Sequence, residues 1–379
     1  MTTFNRRLLG CTMLILCASA TMMTQRRSRR SECSPSAIGT QFADVTGEGR
    51  VAAIAINLNG VTVRLPEDRR FQRDETWVQQ PYFGTDTAGH QNIYFADVNG
   101  DGKADAIVSN TTEVAVRLSD GTQFVQHDLW TREPYFGVAE GHVNNFFADV
   151  TGDHRADAIV VNNSGITVRR SDGTRFLRNE DWTRGPYMGG LGNYFADVTG
   201  DGRADAIVVN SNGIAVRRSN GVRFERTESW TTDPYYGSIG NPVYFADVNG
   251  DGKADAIVVN ANGVAVRLSD GRRFLPAIAW IRQPFYGSVA MAFVDVDGDG
   301  KADAVAVNPS AITVRRSDGE RFLDAEDWTR NAFYGDLASG CREDQRQRHD
   351  RDGDHDRDRD HDRDRDHERD RERDRNPGR

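Results

Sequence analysis

The chain has 379 residues, with 48 Lys and Arg against 57 Asp and Glu, for a formal net charge of −9. That acidic balance offers nucleic acid no basic surface to bind. Beyond the N-terminal segment no stretch is long and apolar enough to cross a bilayer, so no membrane span is expected.

At the N-terminus, Arg6 and Arg7 precede the apolar run LLGCTMLILC, which leads into Ala18-Ser19-Ala20. A basic start, a short apolar run and an A-x-A site predict a signal peptide over residues 1–20, followed by a linker at 21–36. The mature protein is therefore expected to be secreted and extracellular.

A nine-residue tract then recurs. DVNGDGKAD begins at Asp97 and again at Asp247, DVTGDHRAD at Asp149, DVTGDGRAD at Asp197 and DVDGDGKAD at Asp295, while a degraded copy, DVTGEGRVA, begins at Asp44. Steps of 53, 52, 48, 50 and 48 residues separate these opening aspartates, which makes six units spanning residues 37–338.

One unit reads as four strands. From Tyr244 the runs are YFADV, the β-branched ADAIVVN, the alternating VAVRLSD and then RRFLPAIAW. Asn262-Gly263, like Asn212-Gly213 and Asn59-Gly60, predicts a type I′ hairpin turn between the second and third runs, and Asp270-Gly271 a turn between the third and fourth. The second run is apolar on both faces, which suits a strand packed between neighbouring sheets. The fold expected is all-β: a six-bladed β-propeller of four-stranded antiparallel blades, with an open solenoid as the alternative.

From Arg342 to the end the chain alternates Arg and Asp, with His349, His355, His361 and His367 at intervals of six. Asp is a poor helix former and like charges meet at i,i+4, so residues 342–379 are expected to be disordered. Once the signal peptide is removed, only Cys33 and Cys341 remain, one on each side of the repeats. A closed ring would bring them together, and an oxidising compartment would join them as a disulfide.

The repeated tract carries the chemistry. Counting from its first Asp, oxygen-bearing side chains fall at positions 1, 3, 5 and 9: Asp97, Asn99, Asp101, Asp105; Asp149, Thr151, Asp153, Asp157; Asp197, Thr199, Asp201, Asp205; Asp247, Asn249, Asp251, Asp255; Asp295, Asp297, Asp299, Asp303. Hard cations take six to eight oxygens, and alternating ligands on a tight loop can wrap one, so about five Ca2+ sites are expected. Position 7 is always basic in these loops (Lys103, Arg155, Arg203, Lys253, Lys301), and its backbone carbonyl is taken as a further ligand. Gly at position 6 permits the turn, and His154 there must adopt a left-handed conformation. A plain turn without metal is the competing reading. In the first unit Glu48 and Ala52 replace the position-5 and position-9 aspartates, so that loop is expected to bind weakly or not at all.

With PYFG upstream, YFADVNGDGKADAIVVN resembles the FG-GAP or VCBS repeat, the blade unit of integrin α-chain propellers and of many secreted bacterial proteins. The resemblance implies calcium bound by the Asp/Asn loop. Departures are NANG or NSNG in place of the GAP segment, and six visible units rather than seven.

No G-x-S-x-G, H-E-x-x-H or P-loop is present, and no enzymatic activity is expected. Each unit instead ends in Trp followed by PYFG, PYFG, PYMG, PYYG, PFYG or AFYG. This pairs Trp77 with Tyr82, Trp130 with Tyr135, Trp182 with Tyr187, Trp230 with Tyr235, Trp280 with Phe285 and Trp328 with Phe333, and sets a second side chain, aromatic in all units but the third, beside each Tyr or Phe. These rings could stack on sugars, as implied by a resemblance to propeller lectins, or could wedge adjacent blades. Wedging is favoured for Trp and neither reading for the Tyr/Phe positions. The expected function is a monomeric, calcium-binding, lectin-like module for a glycan or cell-surface glycoprotein, engaging through several weak sites. A protein-binding adhesin or scaffold is the alternative, and a non-catalytic part of a polysaccharide-active enzyme system a third.

Overall fold

The computed structural model describes residues 39–85, 91–139, 142–143, 145–240 and 243–335. The signal peptide, the linker, Cys33, Cys341 and the C-terminal tail lie outside the described residues. Each repeat forms one four-stranded antiparallel sheet, and six such sheets make up a six-bladed β-propeller. Among the described residues no helix is long and apolar enough to cross a membrane.

The fourth blade shows the construction. Gly192–Ala196 pairs with Asp205–Asn210, which pairs with Gly213–Arg217, which pairs with Glu228–Ser229. First strands of neighbouring blades touch around the central axis, so each blade runs outward from its first strand to its fourth. In the second strand, Asp205 through Val209 are all buried, Ala206 and Val208 facing one neighbouring core cluster and Ile207 and Val209 the other. A strand covered on both faces has no use for polar alternation, which accounts for the β-branched DAIVVN run.

Two local expectations change. The pairing of Asn210 with Gly213 leaves Ser211-Asn212 as the central turn residues. Neither has a positive φ, so the turn is not type I′. Gly213 instead opens the third strand at φ 148°, where a Cβ would come within 2.5 Å of the Thr231 carbonyl oxygen. Among the described residues, positive φ at both central residues occurs only at Asp68 (46°) and Arg69 (60°), in a small hairpin of the first blade between Pro66–Glu67 and Arg70–Phe71. The fourth strand varies in length: it spans Phe124–Thr131 in the second blade but only Glu180–Asp181 in the third and Ile278–Ile281 in the fifth. In all three blades the Phe before or at its start packs against the neighbouring blade.

That Phe forms the main junction. Trp77 packs edge-on against Phe124, Trp130 against Phe176, Trp182 against Phe224, Trp230 against Phe274 and Trp280 against Phe322, with ring centroids 5.1–5.2 Å apart. Trp328 of the last blade meets Phe71 of the first at 5.2 Å. Such pairs contribute about 0.5–1.5 kcal/mol beyond their burial.

A ring of hydrogen bonds follows the same path. The N–H of Ala104, Ala156, Ala204, Ala254 and Ala302 donates to the carbonyl of the opening Asp of the preceding blade, and Val51 N–H donates to Asp295 at closure. Gly335 N–H donates to Thr40 Oγ1 at 3.1 Å. The six-bladed ring is therefore closed, and the described chain ends meet at its seam.

Candidate functional site

The acidic loops join first and second strands, all at one end of the ring. In the fourth blade the Asp197 carboxylate accepts from Gly200 N–H at 2.6 Å and Gly202 N–H at 2.7 Å, which folds the loop around its own first residue. Positions 4 and 6 are left-handed: Gly200 has φ 78°, Gly202 82°, and His154 takes the same conformation at 65°. Asp44 caps the first loop in the same way, accepting from Gly47 and Gly49 N–H although Ala52 stands at position 9. The same turn hydrogen bonds therefore hold the loop in the first blade as in the fourth.

Position 9 has a structural task the sequence did not announce. Asp105, Asp157, Asp205, Asp255 and Asp303 are fully buried. Each accepts one N–H from the position-2 Val of its loop and one from a Ser at or just beyond the end of the third strand; for Asp205 these are Val198 at 3.3 Å and Ser219 at 2.8 Å. The same Ser, through its hydroxyl, donates to the preceding blade, as Ser219 Oγ does to Val150 O at 2.5 Å. Burial pushes the carboxyls of Asp105, Asp157, Asp205 and Asp255 up to about 7 and that of Asp303 up to about 8, with neighbouring loop carboxylates adding to the effect. A bound cation would reverse that penalty.

The position-7 side chain has a task of its own. It pairs with the position-5 Asp of the same loop: Lys103 with Asp101 at 2.7 Å, Lys253 with Asp251 at 2.9 Å, Lys301 with Asp299 at 2.7 Å, and Arg155 and Arg203 likewise with Asp153 and Asp201. Its aliphatic stem lies across the position-4 Gly of the preceding blade, where a Cβ on Gly200 would sit 2.8 Å from Lys253 Cγ. The basic residue therefore links adjacent loops.

The sixth-blade loop gathers carboxylates most closely. Ligand oxygens of Asp295, Asp297 and Asp303 lie within 4.8 Å of one another, the one such group among the described residues. Here position 3 is Asp, where the other intact loops carry Asn or Thr. Asp297 Oδ1 is buried without a hydrogen-bond partner, while its Oδ2 lies 3.3 Å from Arg316. This donor set of clustered oxygens, one unsatisfied, fits a hard divalent cation. Positions 1, 3 and 9 converge; Asp299 at position 5 is held by Lys301.

The aromatics stand elsewhere. Thr85, Gly190, Ser238 and Ser288, just after the aromatic pairs, donate their N–H to Asn110, Asn210, Asn260 and Asn308, which end or follow the second strands. The acidic loops precede those strands, so a strand of roughly 20 Å separates the two features. They occupy opposite ends of the ring.

Burial also corrects which rings could meet a ligand. Trp77, Trp130, Trp182, Trp230, Trp280 and Trp328 are buried between blades, as are Tyr82, Tyr135, Tyr187, Tyr235, Phe285 and Phe333. The Tyr187 hydroxyl lies 3.2 Å from Ala206 O and 3.0 Å from Ala215 O, and Arg217 covers the ring at 4.3 Å. Arg117, Arg169, Arg267, Arg315 and Arg64 cap the rings at the other junctions. Phe285 and Phe333 fill the site without a hydroxyl, so Tyr187→Phe should cost only about 1 kcal/mol in urea denaturation. It should leave ligand binding unchanged; a binding defect in this variant would return the buried ring to the site.

Solvent reaches the second residue of each pair. Tyr236 is 46% and Tyr286 43% exposed. Phe83, Phe136, Met188 and Tyr334 are half-buried at the equivalent positions. The sequence marked each pair, but only the direction of the backbone between blades separates the inward ring from the outward one.

The FG-GAP-like repeat family matches residues 149–208, 197–258 and 247–306, each match starting at an opening Asp and running into the next blade. No curated protein sequence matches the chain. Among solved structures, it is similar to an Agrocybe aegerita lectin described for specific recognition of non-reducing terminal N-acetylglucosamine, at 24% identity over 77% of this chain and 80% of that one, with a TM-score of 0.56. A Photorhabdus luminescens Tc holotoxin pore structure is similar at 16% identity and a TM-score of 0.51, over 79% of this chain but 15% of that one. At these identities the likeness speaks for the fold. In register with the blades of a closed ring, residues 149–306 are FG-GAP-like repeats.

Proposed function

We propose that the chain is a secreted, calcium-dependent, non-catalytic propeller that binds carbohydrate or glycoprotein at several equivalent blade junctions. The observation that carries this reading is the partly exposed residue, aromatic at five junctions, at the end of the ring opposite the acidic loops, with Tyr236 and Tyr286 the most open. An aromatic face beside polar backbone and amide groups suits the apolar face and hydroxyl edge of a sugar ring. Recognition of terminal N-acetylglucosamine by the similar lectin supports carbohydrate as the ligand class.

Repetition supports binding over catalysis, because weak sites gain strength when several engage one surface. Calcium would be held by the side-chain oxygens at positions 1, 3 and 9, most completely where all three are carboxylates, as in Asp295, Asp297 and Asp303. Its contribution is to stiffen loops that tie each blade to the next, so it would act on the binding end through the stability of the ring.

A glycan array probed with calcium and with chelator tests the reading. Replacing Tyr236 and Tyr286 together by Ala should lower avidity about tenfold, on the order of 1.4 kcal/mol. Folding stability should change by less than about 0.5 kcal/mol, since both rings lie at the surface. A protein that ignores every glycan with calcium present, yet captures a single polypeptide, would be an adhesin instead.

A further inference from the structure

The seam where the last blade meets the first differs from the other junctions. It holds a cleft of ≈ 450 Å³ whose lining includes Arg64, Arg70, Arg73, Arg330, Gln72 and the one acid Asp327. Arg64 is spoken for, being stacked over Phe333 and bonded to Asp74 and Asn331. Arg70, Arg73 and Arg330 are exposed and form no ion pair among the described residues.

Trp328, also in the lining, adds to the excess of donors. Its indole N–H is buried without an acceptor. Trp77, Trp182 and Trp230 each direct theirs to the glutamate two residues earlier, at 3.3–3.4 Å. At the seam that glutamate, Glu326, binds Arg316 and lies 4.0 Å from Arg69. The hairpin that carries Arg69 and Arg70 is held by its two left-handed residues and by Phe71 packed on Trp328, so the guanidinium at position 70 projects from a fixed support.

We infer that this seam cleft is a single binding site for an oxyanion borne on a saccharide, a uronate carboxylate or a sulfate ester. Guanidinium groups match the planar, paired oxygens of such anions. Gln72 and Asn331 offer neutral partners for hydroxyls beside the charge, and the volume is within the range of small-ligand sites. The ligand class rests on the carbohydrate reading above, whereas the anion preference rests on the seam alone. Neither equivalence between junctions nor the outward aromatics is required: one site per chain is expected.

Titration calorimetry at fixed ionic strength decides it, using a sulfated disaccharide, an oligouronate, neutral chitobiose and inorganic sulfate. One of the two acidic saccharides should bind at one per chain, more weakly as salt is raised. The variant R73Q/R330Q, which touches no ion pair or core contact described above, should weaken that binding about tenfold or more while its thermal unfolding stays that of the parent. Unchanged affinity in the variant, or failure of both acidic saccharides, would overturn the site. Inorganic sulfate binding as tightly as the sulfated sugar would overturn the saccharide assignment. Chitobiose binding unaffected by R73Q/R330Q would leave the multivalent reading standing even if the seam fails; seam binding with no neutral glycan recognised would do the reverse.

Discussion

Saturating calcium should raise the melting temperature of the chelated protein by on the order of 10–20 °C. A ligand that binds only the folded state contributes about 2.7 kcal/mol per site at one hundred times its dissociation constant, and five filled loops would contribute roughly 13 kcal/mol to a ring of some 300 residues. The loops are poised for that response. Burial holds the carboxyls of Asp97 and Asp295 above their ordinary range, and the position-9 aspartates higher still, so a cation relieves a penalty already present. Order of filling is expected to follow charge. The sixth-blade loop, with three converging carboxylates, should fill first, and the first-blade loop, lacking the position-9 Asp, should stay empty. Asp297→Asn should remove the tightest class of site from a calorimetric titration without altering the others. If calcium produces neither heat nor a shift in melting, the loops are turns and nothing more.

Asp205→Ala should destabilise the ring by about 2–4 kcal/mol, and should do so in chelator as fully as in calcium. The substitution leaves the N–H groups of Val198 and Ser219 without acceptors in a fully buried place, each costing about 1–3 kcal/mol, partly offset because a buried charge is also removed. Asp201→Ala is the matched control. Its carboxylate is partly exposed and paired with Arg203, so in chelator its loss should cost less than about 1 kcal/mol. Urea denaturation of both variants, with and without calcium, separates the roles: a structural position 9 predicts a gap between them that chelation does not close. Equal, small losses for the two in chelator would mean that position 9 matters only as a ligand.

Much of the architecture was legible in the chain because it repeats local chemistry. The β-branched DAIVVN run, the spacing of the Asp-rich tracts and the Asp-Gly turns specify strands, loops and their order within about 50 residues, and six copies count the blades. His154 had to be left-handed for the same local reason, and it is. The hairpin type was misjudged because Asn-Gly signals a type I′ turn only when both residues sit at its centre, and pairing of Asn210 with Gly213 moves the glycine into the strand.

What the sequence by itself determined is therefore the blade: its strand order, its doubly buried second strand and the oxygen-rich loop at one end. Tertiary structure decided everything that depends on residues of different blades meeting. It turned Tyr187 inward and left Tyr236 facing solvent, although both belong to one repeated motif. It laid the position-7 side chain of one loop across the glycine of the loop before it, and placed the aromatic pairs at the end of the ring away from the acidic loops. It also joined Phe71 to Trp328 and so opened an arginine-lined cleft at the seam. A periodic sequence encodes contacts within its period and with the next copy. The meeting of first and last blades has no local signal, because it exists only once the ring has closed.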